Sequence, residues 1–126
     1  MDANFPDTPG AGLSRRVIGA FYRTYNELGH GFLESVYENA LALEMDFEGL
    51  QWERQAPIDV RFRDKVVGVF RADFIVERQL IVEIKAVDTL MPAHDAQVLN
   101  YLKATGIRLG LLLNFGPRAQ VHRRVF

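Results

Sequence analysis

Three things are missing from this sequence of 126 residues: cysteine, long hydrophobic runs and a surplus of positive charge. The absence of cysteine excludes disulfides and thiolate metal sites. No apolar run approaches the roughly 20 residues that a membrane-spanning helix needs. Residues 1–12 also lack the basic and apolar segments of a signal peptide. We therefore expect a cytoplasmic protein with no membrane partner.

The formal net charge of −1 bears on nucleic-acid binding. Proteins that grip duplex DNA through its phosphates usually carry a positive surplus, so any such contact here must come from a local patch, a partner or an oligomer. Basic residues gather near the C-terminus, at Arg118, His122, Arg123 and Arg124. They are consistent with a phosphate-binding patch, and equally with a solvated edge strand that resists aggregation.

The composition is that of an ordinary globular domain, with 48% hydrophobic and 25% charged residues. A chain of this length fits one domain with a core of its own. Prolines and glycines near the start predict a disordered tail over residues 1–13, which leaves 14–126 as a single domain.

Apolar residues that recur every three or four positions predict two helices in the first part of the chain. The first runs from about Arg15 to Leu28, is capped by Ser14 and ends at Gly29. The second runs from about Leu33 to Phe47, and its apolar stripe consists of Val36, Ala40, Leu43 and Phe47.

Alternating residues from position 51 onward predict strands. Pro57 is expected to separate two of them, and Asp64-Lys65 to form a turn. The predicted strands are Gln51–Ala56, Ile58–Arg63, Val66–Val76, Leu80–Val87, Ile107–Asn114 and Gln120–Val125, with a third helix over Ala93–Thr105. The order ααββββαββ is that of an α+β (mixed α/β) domain.

The most informative segment is the predicted hairpin that joins the third and fourth of these strands. A three-residue loop over Glu77–Gln79 gives a register in which one face is wholly apolar. That register places Asp73 directly across from Glu83, with Cβ atoms about 4.5–5.5 Å apart. The apolar pairs of this register are Val76 with Leu80, Phe74 with Val82 and Ala72 with Ile84, and Arg71 lies across from Lys85.

Two carboxylates at that distance repel unless a cation or a proton lies between them. Hard oxygen ligands suit Mg²⁺ or Mn²⁺. Lys85 lies on the same face as Glu83, where its ammonium can hold a water or stabilise charge on a phosphoryl oxygen. Metal, water and cation together describe phosphodiester hydrolysis. The alternative is a structural ion cluster of Asp73, Glu83 and Lys85, and this segment alone leaves both interpretations open.

Two helices offer further candidates. His94, Gln97 and Tyr101 share one face of the third helix, where they can orient a phosphate or a water; a buried tyrosine and a first-turn histidine are the plainer interpretations. Glu34 begins the second helix, either as a third carboxylate of the site or as compensation of the helix dipole.

Three motifs resemble those of a known family. Gly31-Phe32-Leu33-Glu34-Ser35-Val36-Tyr37 resembles the pattern that names the GxxExxY protein family, which is placed in the PD-(D/E)XK nuclease superfamily. Asp73 followed by Glu83-Ile84-Lys85 resembles the D…ExK signature, and Gln97-Val98-Leu99-Asn100-Tyr101 resembles the QxxxY motif. The residue before Asp73 is Ala72, where the superfamily's name has proline.

The resemblance implies a restriction-endonuclease-like core, a mixed central sheet flanked by helices. It implies that Asp73 and Glu83 hold Mg²⁺ or Mn²⁺, with the Ile84 carbonyl and Glu34 as further ligands. Lys85 would position the nucleophilic water. Gln97 and Tyr101 would line the site.

The resulting expectation is a metal-dependent nuclease that acts on DNA rather than RNA. The alternative is a nucleic-acid-binding or assembly module of nuclease fold with little activity of its own. Many proteins of the superfamily pair up, so a homodimer is a further expectation.

Overall fold

Secondary structure follows the order ααβββαββ in the computed structural model, which describes residues 10–126. The predicted α+β class is confirmed, with one strand fewer than expected. The elements are α1 (Ala11–Leu28), α2 (Glu34–Phe47), β1 (Trp52–Phe62), β2 (Lys65–Val76), β3 (Leu80–Lys85), α3 (Pro92–Thr105), β4 (Leu109–Phe115) and β5 (Ala119–Val125). No helix in this part of the chain is long and apolar enough to cross a membrane.

Pro57 does not break the first strand, contrary to the prediction. It lies inside β1 and pairs with Arg71 of β2. β1 is an edge strand with only one neighbour, and a residue without an N–H group is tolerated there. The turn after β1 also differs by one residue, because Arg63 and Asp64 adopt positive φ and Lys65 already belongs to β2.

The five strands form one sheet in the order β1-β2-β3-β4-β5. All neighbours are antiparallel except β3 and β4, which run parallel and are joined through α3. Two buried clusters cover the two faces of the sheet: α1 and α2 pack on one face and α3 on the other. The predicted mixed sheet flanked by helices is confirmed.

α1 begins earlier than predicted. Ser14 does not cap it, since the helix starts at Ala11 after Gly10 and Ser14 is buried within its first turn. Residues 1–9 of the predicted tail lie outside the described residues. The C-terminal end at Gly29 is confirmed, and the predicted apolar positions of α1 face the core, with Val17 and Phe21 fully buried.

α2 buries a different face from the predicted one. The side chains in contact with the core are Tyr37, Glu38, Leu41, Ala42 and Met45. The predicted stripe points to solvent instead, and Phe47 at its end is 82% exposed. The prediction was wrong because α2 carries apolar residues on two opposite faces, and periodicity alone does not say which one meets the core.

α3 lies close to the sheet because of a glycine in β4. A Cβ built on Gly110 would lie 2.6 Å from Val98 Cγ1, which is closer than real Cβ contacts. Val98, Tyr101 and Leu102 of α3 are buried against Ile81 and Leu112 of the sheet. The helix ends at Gly106, as predicted.

Candidate active site

A fork between β2 and β3 forms the centre of the site. The loop over Glu77–Gln79 sets the predicted register, with Val76 paired to Leu80 and Phe74 to Val82. The ladder stops there, although β3 continues to Lys85 through its pairing with β4. The predicted extension of the hairpin to further pairs is therefore wrong, and the two strands separate at Asp73 and Glu83.

The backbone of β2 is irregular at Asp73. Arg54 pairs with Phe74 and Ala56 with Ala72, but Gln55 and Asp73, which lie between these pairs, do not pair with each other. Gln55 has a positive φ of 51°. Phe74 packs on the α1–α2 side and Ala72 on the α3 side. Ala72 thus leaves the apolar face predicted for it, because side-chain alternation is interrupted at Asp73.

Asp73 and Glu83 bridge the fork with their side chains. The backbone N–H of Asp73 donates to Glu83 Oε2 at 2.6 Å, and the N–H of Ile84 donates to Asp73 Oδ2 at 2.8 Å. These bonds replace the missing ladder, so both carboxylates are fixed at the point where the strands part. Glu83 is only 4% exposed.

The electrostatics of this pair are unusual for acidic groups. Burial, followed by the charge of Asp73, raises the pKa of Glu83 to about 8. Burial also raises the pKa of Asp73, against the hydrogen bond from Ile84. The charge of Lys85 opposes both shifts without cancelling them. At neutral pH the fork therefore holds a proton unless a cation takes its place.

Glu34 and Glu38 bring further negative charge from α2. The pKa of Glu34 is raised, first by partial burial of its carboxyl group and then by the charge of Asp73. Glu38 is buried, accepts a hydrogen bond from Arg54 Nε at 2.6 Å, and raises the pKa of Asp73. Glu34 thus lies within electrostatic reach of the fork, and its role as a carboxylate of the site stays a prediction.

Tyr37 holds the segment that precedes Glu34. Its hydroxyl donates to the Gly29 carbonyl at 2.6 Å and accepts the N–H of Phe32 at 3.2 Å, and its ring stacks on Phe115 at 4.3 Å. Gly31, with φ of 113°, gives this loop a turn that other residues rarely adopt. The turn and the hydroxyl together fix where α2 begins, and with it the position of Glu34.

Lys85 ends β3 and is half-buried beside the carboxylates. The chain that follows it is held by Asn114, whose side chain accepts the N–H of Val87 at 3.0 Å and donates to the Val87 carbonyl at 2.9 Å. Gly116 approaches the same carbonyl so closely that a Cβ would overlap it. The backbone at Lys85 is thus held before it by the β3–β4 ladder and after it by the contacts of Asn114 and Gly116 with Val87.

α3 supplies Tyr101 and Gln97. The pKa of Tyr101 is raised by burial and then by the charges of Glu83 and Asp73. A contact of its hydroxyl with the fork stays a prediction. Gln97, one turn earlier, is half-buried and lines a groove of about 1080 Å³ together with Tyr101. His94 does not join them, since its Nδ1 accepts the N–H of Met91 in the first turn of α3.

The donor atoms at the fork suit a hard divalent cation. Each carboxylate uses one oxygen for a backbone N–H, which leaves Asp73 Oδ1 and Glu83 Oε1; a weak bond of 3.3 Å from Gln55 reaches the former. No group of three His, Cys, Asp or Glu side chains is close enough to form a ready-made metal site among residues 10–126. Participation of Glu34 and the Ile84 carbonyl as ligands therefore stays a prediction.

Sequence reasoning missed two residues of the site, Glu38 and Gln55. Glu38 follows Glu34 by one helical turn, and that spacing was a usable signal. Gln55 had no such signal, because its contacts with Asp73 and Glu38 depend on the irregular backbone of β1.

Comparisons with known proteins bear on the family and the fold of the chain. No protein of curated function matches the chain. Its fold is similar to the crystal structure of SSO0001, with a TM-score of 0.55 at 18% identity, over 92% of this chain and 59% of that one. The chain thus spans well under two thirds of the length of SSO0001, and at this identity the likeness concerns the fold alone. The family model of the PD-(D/E)XK nuclease superfamily matches residues 11–125, and the chain therefore belongs to that superfamily.

Proposed function

We propose that this protein is a metal-dependent nuclease that cleaves DNA, with Asp73 and Glu83 holding Mg²⁺ or Mn²⁺. The observation that carries the proposal is the pair of carboxylates bridging the fork, with more negative charge around it than Lys85 neutralises. The fold of the superfamily supports phosphodiester hydrolysis as the reaction class.

The charge balance of the fork favours a cation over an ion pair. The pKa values of Glu34, Asp73 and Glu83 are raised there, and the charge of Lys85 opposes each of these shifts. Glu38 adds a fourth acid, but it is paired with Arg54 at 2.6 Å. Leaving a charge on the buried Glu83 carboxylate without a counter-ion in contact is unfavourable, by on the order of several kcal/mol. A divalent ion on the remaining oxygens would relieve it, and would polarise a phosphate oxygen and lower the pKa of a bound water.

Lys85 would act on the water and on the developing charge. Lys85 follows Glu83 by two residues on β3, and its charge lowers the pKa of that carboxyl, so its ammonium would orient the attacking water and stabilise the phosphoryl oxygens. Glu34, with its raised pKa, would hold the same water from the α2 side. Gln97 and Tyr101 would contact the phosphate from α3.

The groove lined by Gln97 and Tyr101 would offer a path for the strand, although Asp73, Glu83 and Lys85 are not among its lining residues. It runs between α3 and the β1–β2 hairpin, and its wall includes Phe70, whose ring centroid lies 6.0 Å from that of Tyr101. Arg61 and Lys103 supply positive charge along it, and Asp59 offsets part of this charge through its contact with Arg61 at 3.8 Å. Aromatic rings for bases and cations for phosphates are the usual elements of a nucleic-acid channel.

A binding or assembly module with little activity of its own is the second candidate. The net charge of −1 favours it, since few phosphate contacts are available to hold a long duplex. The basic C-terminal strand has less positive charge available for phosphate than its sequence suggests, because His122 and Arg124 pair with Asp95.

A cleavage assay with Lys85→Ala separates the two candidates. Wild-type protein with Mg²⁺ or Mn²⁺ should cut plasmid, single-stranded or duplex DNA, and Lys85→Ala should lose on the order of 10²–10³-fold of the rate, as for loss of a transition-state contact. Its circular dichroism spectrum should stay unchanged. Lys65→Ala, at the exposed start of β2, is the matched control and should cleave normally.

RNA of the same sequence should be cut more slowly. If no metal supports cleavage of any substrate while the protein still binds DNA tightly, the binding module is the better account. If Lys85→Ala keeps full activity, the site is elsewhere.

A further inference from the structure

We propose that two copies of the chain associate through the outer face of α2. The stripe formed by Val36, Ala40, Leu43 and Phe47 was predicted as the apolar face of this helix, yet it points to solvent. Leu33, immediately before the helix, continues it. This surface, called the α2 seam below, is separate from the fork, and the inference does not depend on nuclease activity.

The spacing of the α2 seam is that of a coiled coil. From Leu33 to Phe47 the apolar residues follow one another at intervals of three, four, three and four. This repeat of 3.5 residues keeps a narrow seam toward a facing helix, whereas an ordinary core-facing stripe is wider. α2 already has such a wider stripe on its buried side, which includes Tyr37, Leu41 and Met45. Among residues 10–126, the second stripe faces away from the core clusters.

A facing copy of the same helix fits the α2 seam in charge. No charged residue interrupts it. The polar residues on its flanks are engaged within their own molecule: Glu44 with Arg23 at 2.7 Å, Asp46 with Trp52 at 2.9 Å and Asn39 with Arg54 at 2.5 Å. Glu44 is neutralised by Arg23, and Asp46, whose partner is the neutral indole of Trp52, lies at the end of the seam. Two seams can therefore meet at their centre without opposing uncompensated acids.

The shape of the α2 seam favours an antiparallel pair. Ala40, its smallest residue, lies at the centre, and the larger Leu33 and Phe47 lie at the two ends. A two-fold axis near Ala40 lets the helices approach closely and brings the end of one seam against the start of the other. Such a contact is isologous and closes on itself, so it gives dimers and not filaments.

The area predicts a weak dimer. Leu33, Leu43 and Phe47 are 77%, 60% and 82% exposed. With large apolar side chains offering about 150–250 Å² each, the α2 seam amounts to roughly 500 Å² per copy. Two copies would bury about 1,000 Å², the lower end of specific interfaces, and for so small a contact we expect a dissociation constant on the order of micromolar or weaker.

Sedimentation velocity over a concentration series tests the association. The wild-type mass should rise from monomer toward dimer across the range around 1–100 micromolar. The double variant Leu43→Glu/Phe47→Glu should stay monomeric and folded by circular dichroism. Val67→Glu is the matched control: Val67 is also an exposed apolar residue, on the β1–β2 hairpin, and its replacement should leave association unchanged.

The absence of cysteine allows a second, independent readout. Ala40→Cys introduces a single thiol at the proposed axis, and a short bismaleimide should link it to a second copy at micromolar concentration. Glu53→Cys, an exposed position on β1, should give no such product. Wild-type protein that stays monomeric at every concentration overturns the proposal, as does association that the double variant does not weaken or cross-linking equal at both positions.

Discussion

Two acidic sites at least partly withdrawn from solvent differ in how their charge is compensated. Asp95 on α3 lies 2.7 Å from Arg124 and 3.0 Å from His122, both on β5. Asp73 and Glu83 at the fork bond backbone N–H groups, and Lys85 only partly offsets the raised pKa values. One site has a basic partner in contact, and the other has an excess of acid.

The difference separates a structural ion cluster from a site that needs a ligand. A cluster that serves stability brings its own counter-ions, as Asp95 does. The sequence left such a cluster open as an account of Asp73, Glu83 and Lys85. Asp95, with its basic partners His122 and Arg124, fits the description of a structural ion cluster better. The spacing of these three residues along the chain did not predict their contact.

Replacing Asp73 or Asp95 by asparagine should give the largest difference between the two sites, in cleavage rate and in stability. Asp73→Asn should lower metal-dependent cleavage by on the order of 10²–10³-fold, because it removes a charged oxygen from the proposed metal site. Asp95→Asn should leave cleavage per folded molecule unchanged. It should instead lower the free energy of unfolding by about 1–2 kcal/mol, since it weakens a charge-assisted contact.

Initial rates and chemical denaturation of both variants check this contrast. Mg²⁺ should also raise the melting temperature of wild type and of Asp95→Asn, but not of Asp73→Asn. Equal loss of activity in the two variants would mean that the fork has no special role.

The pH dependence of stability is the next largest effect. Glu83 has a pKa of about 8 in the folded chain against an ordinary value of 4.5. Between these values the folded state binds a proton that the unfolded state has lost, so the free energy of unfolding should fall as pH rises through this window, by a few kcal/mol. The stabilisation should be complete below the ordinary value and absent above the raised one.

Glu83→Gln isolates this contribution. Denaturation in EDTA between pH 5 and pH 8.5 should show a steep loss of stability in wild type and a flatter curve in the variant. The histidines are present in both proteins, so their titration cancels in the difference. Parallel curves would contradict the raised pKa. Adding Mg²⁺ should restore wild-type stability mainly at high pH, where the carboxylates are ionised.

The fold was largely predictable from local rules. Turn residues and periodicity gave the helix ends at Gly29 and Gly106 and the register of the β2–β3 hairpin. The errors arose where the surroundings decide. Pro57 reads as a breaker unless the strand is known to lie at an edge, and the apolar stripe of α2 reads as its core side unless its neighbours are known.

The sequence was enough to pair Asp73 with Glu83 as candidate site residues, but not to predict the backbone geometry and hydrogen bonds around them. An acid in an apolar strand and its cross-strand partner identified Glu83 and Asp73. The opening of the ladder beyond Phe74, the skipped pairing at Gln55 and the crossed bonds to backbone N–H groups were not predictable. They arise because, beyond Phe74, β2 stays paired with β1 while β3 stays paired with β4. This divergence is a property of the whole sheet.

The smallest expected effect concerns Tyr37. Tyr37→Phe removes a hydroxyl that bonds Gly29 and Phe32 but keeps the ring stacked on Phe115, so the free energy of unfolding should fall by about 1–2 kcal/mol. Since this hydroxyl holds the start of α2, and with it Glu34, cleavage should also slow by about tenfold, because small displacements in an active site are costly to the rate.

Tyr22→Phe is the matched control for Tyr37→Phe, because Tyr22 is an exposed tyrosine of α1 and its replacement should change neither stability nor rate. Rates should be compared under conditions in which each variant is fully folded. A loss of stability in Tyr37→Phe without slower cleavage would mean that Glu34 does not act at the fork. Slower cleavage by fully folded Tyr37→Phe would mean that Glu34 of α2 acts in the site. The excess of acid at the fork would then be shared by β2, β3 and α2.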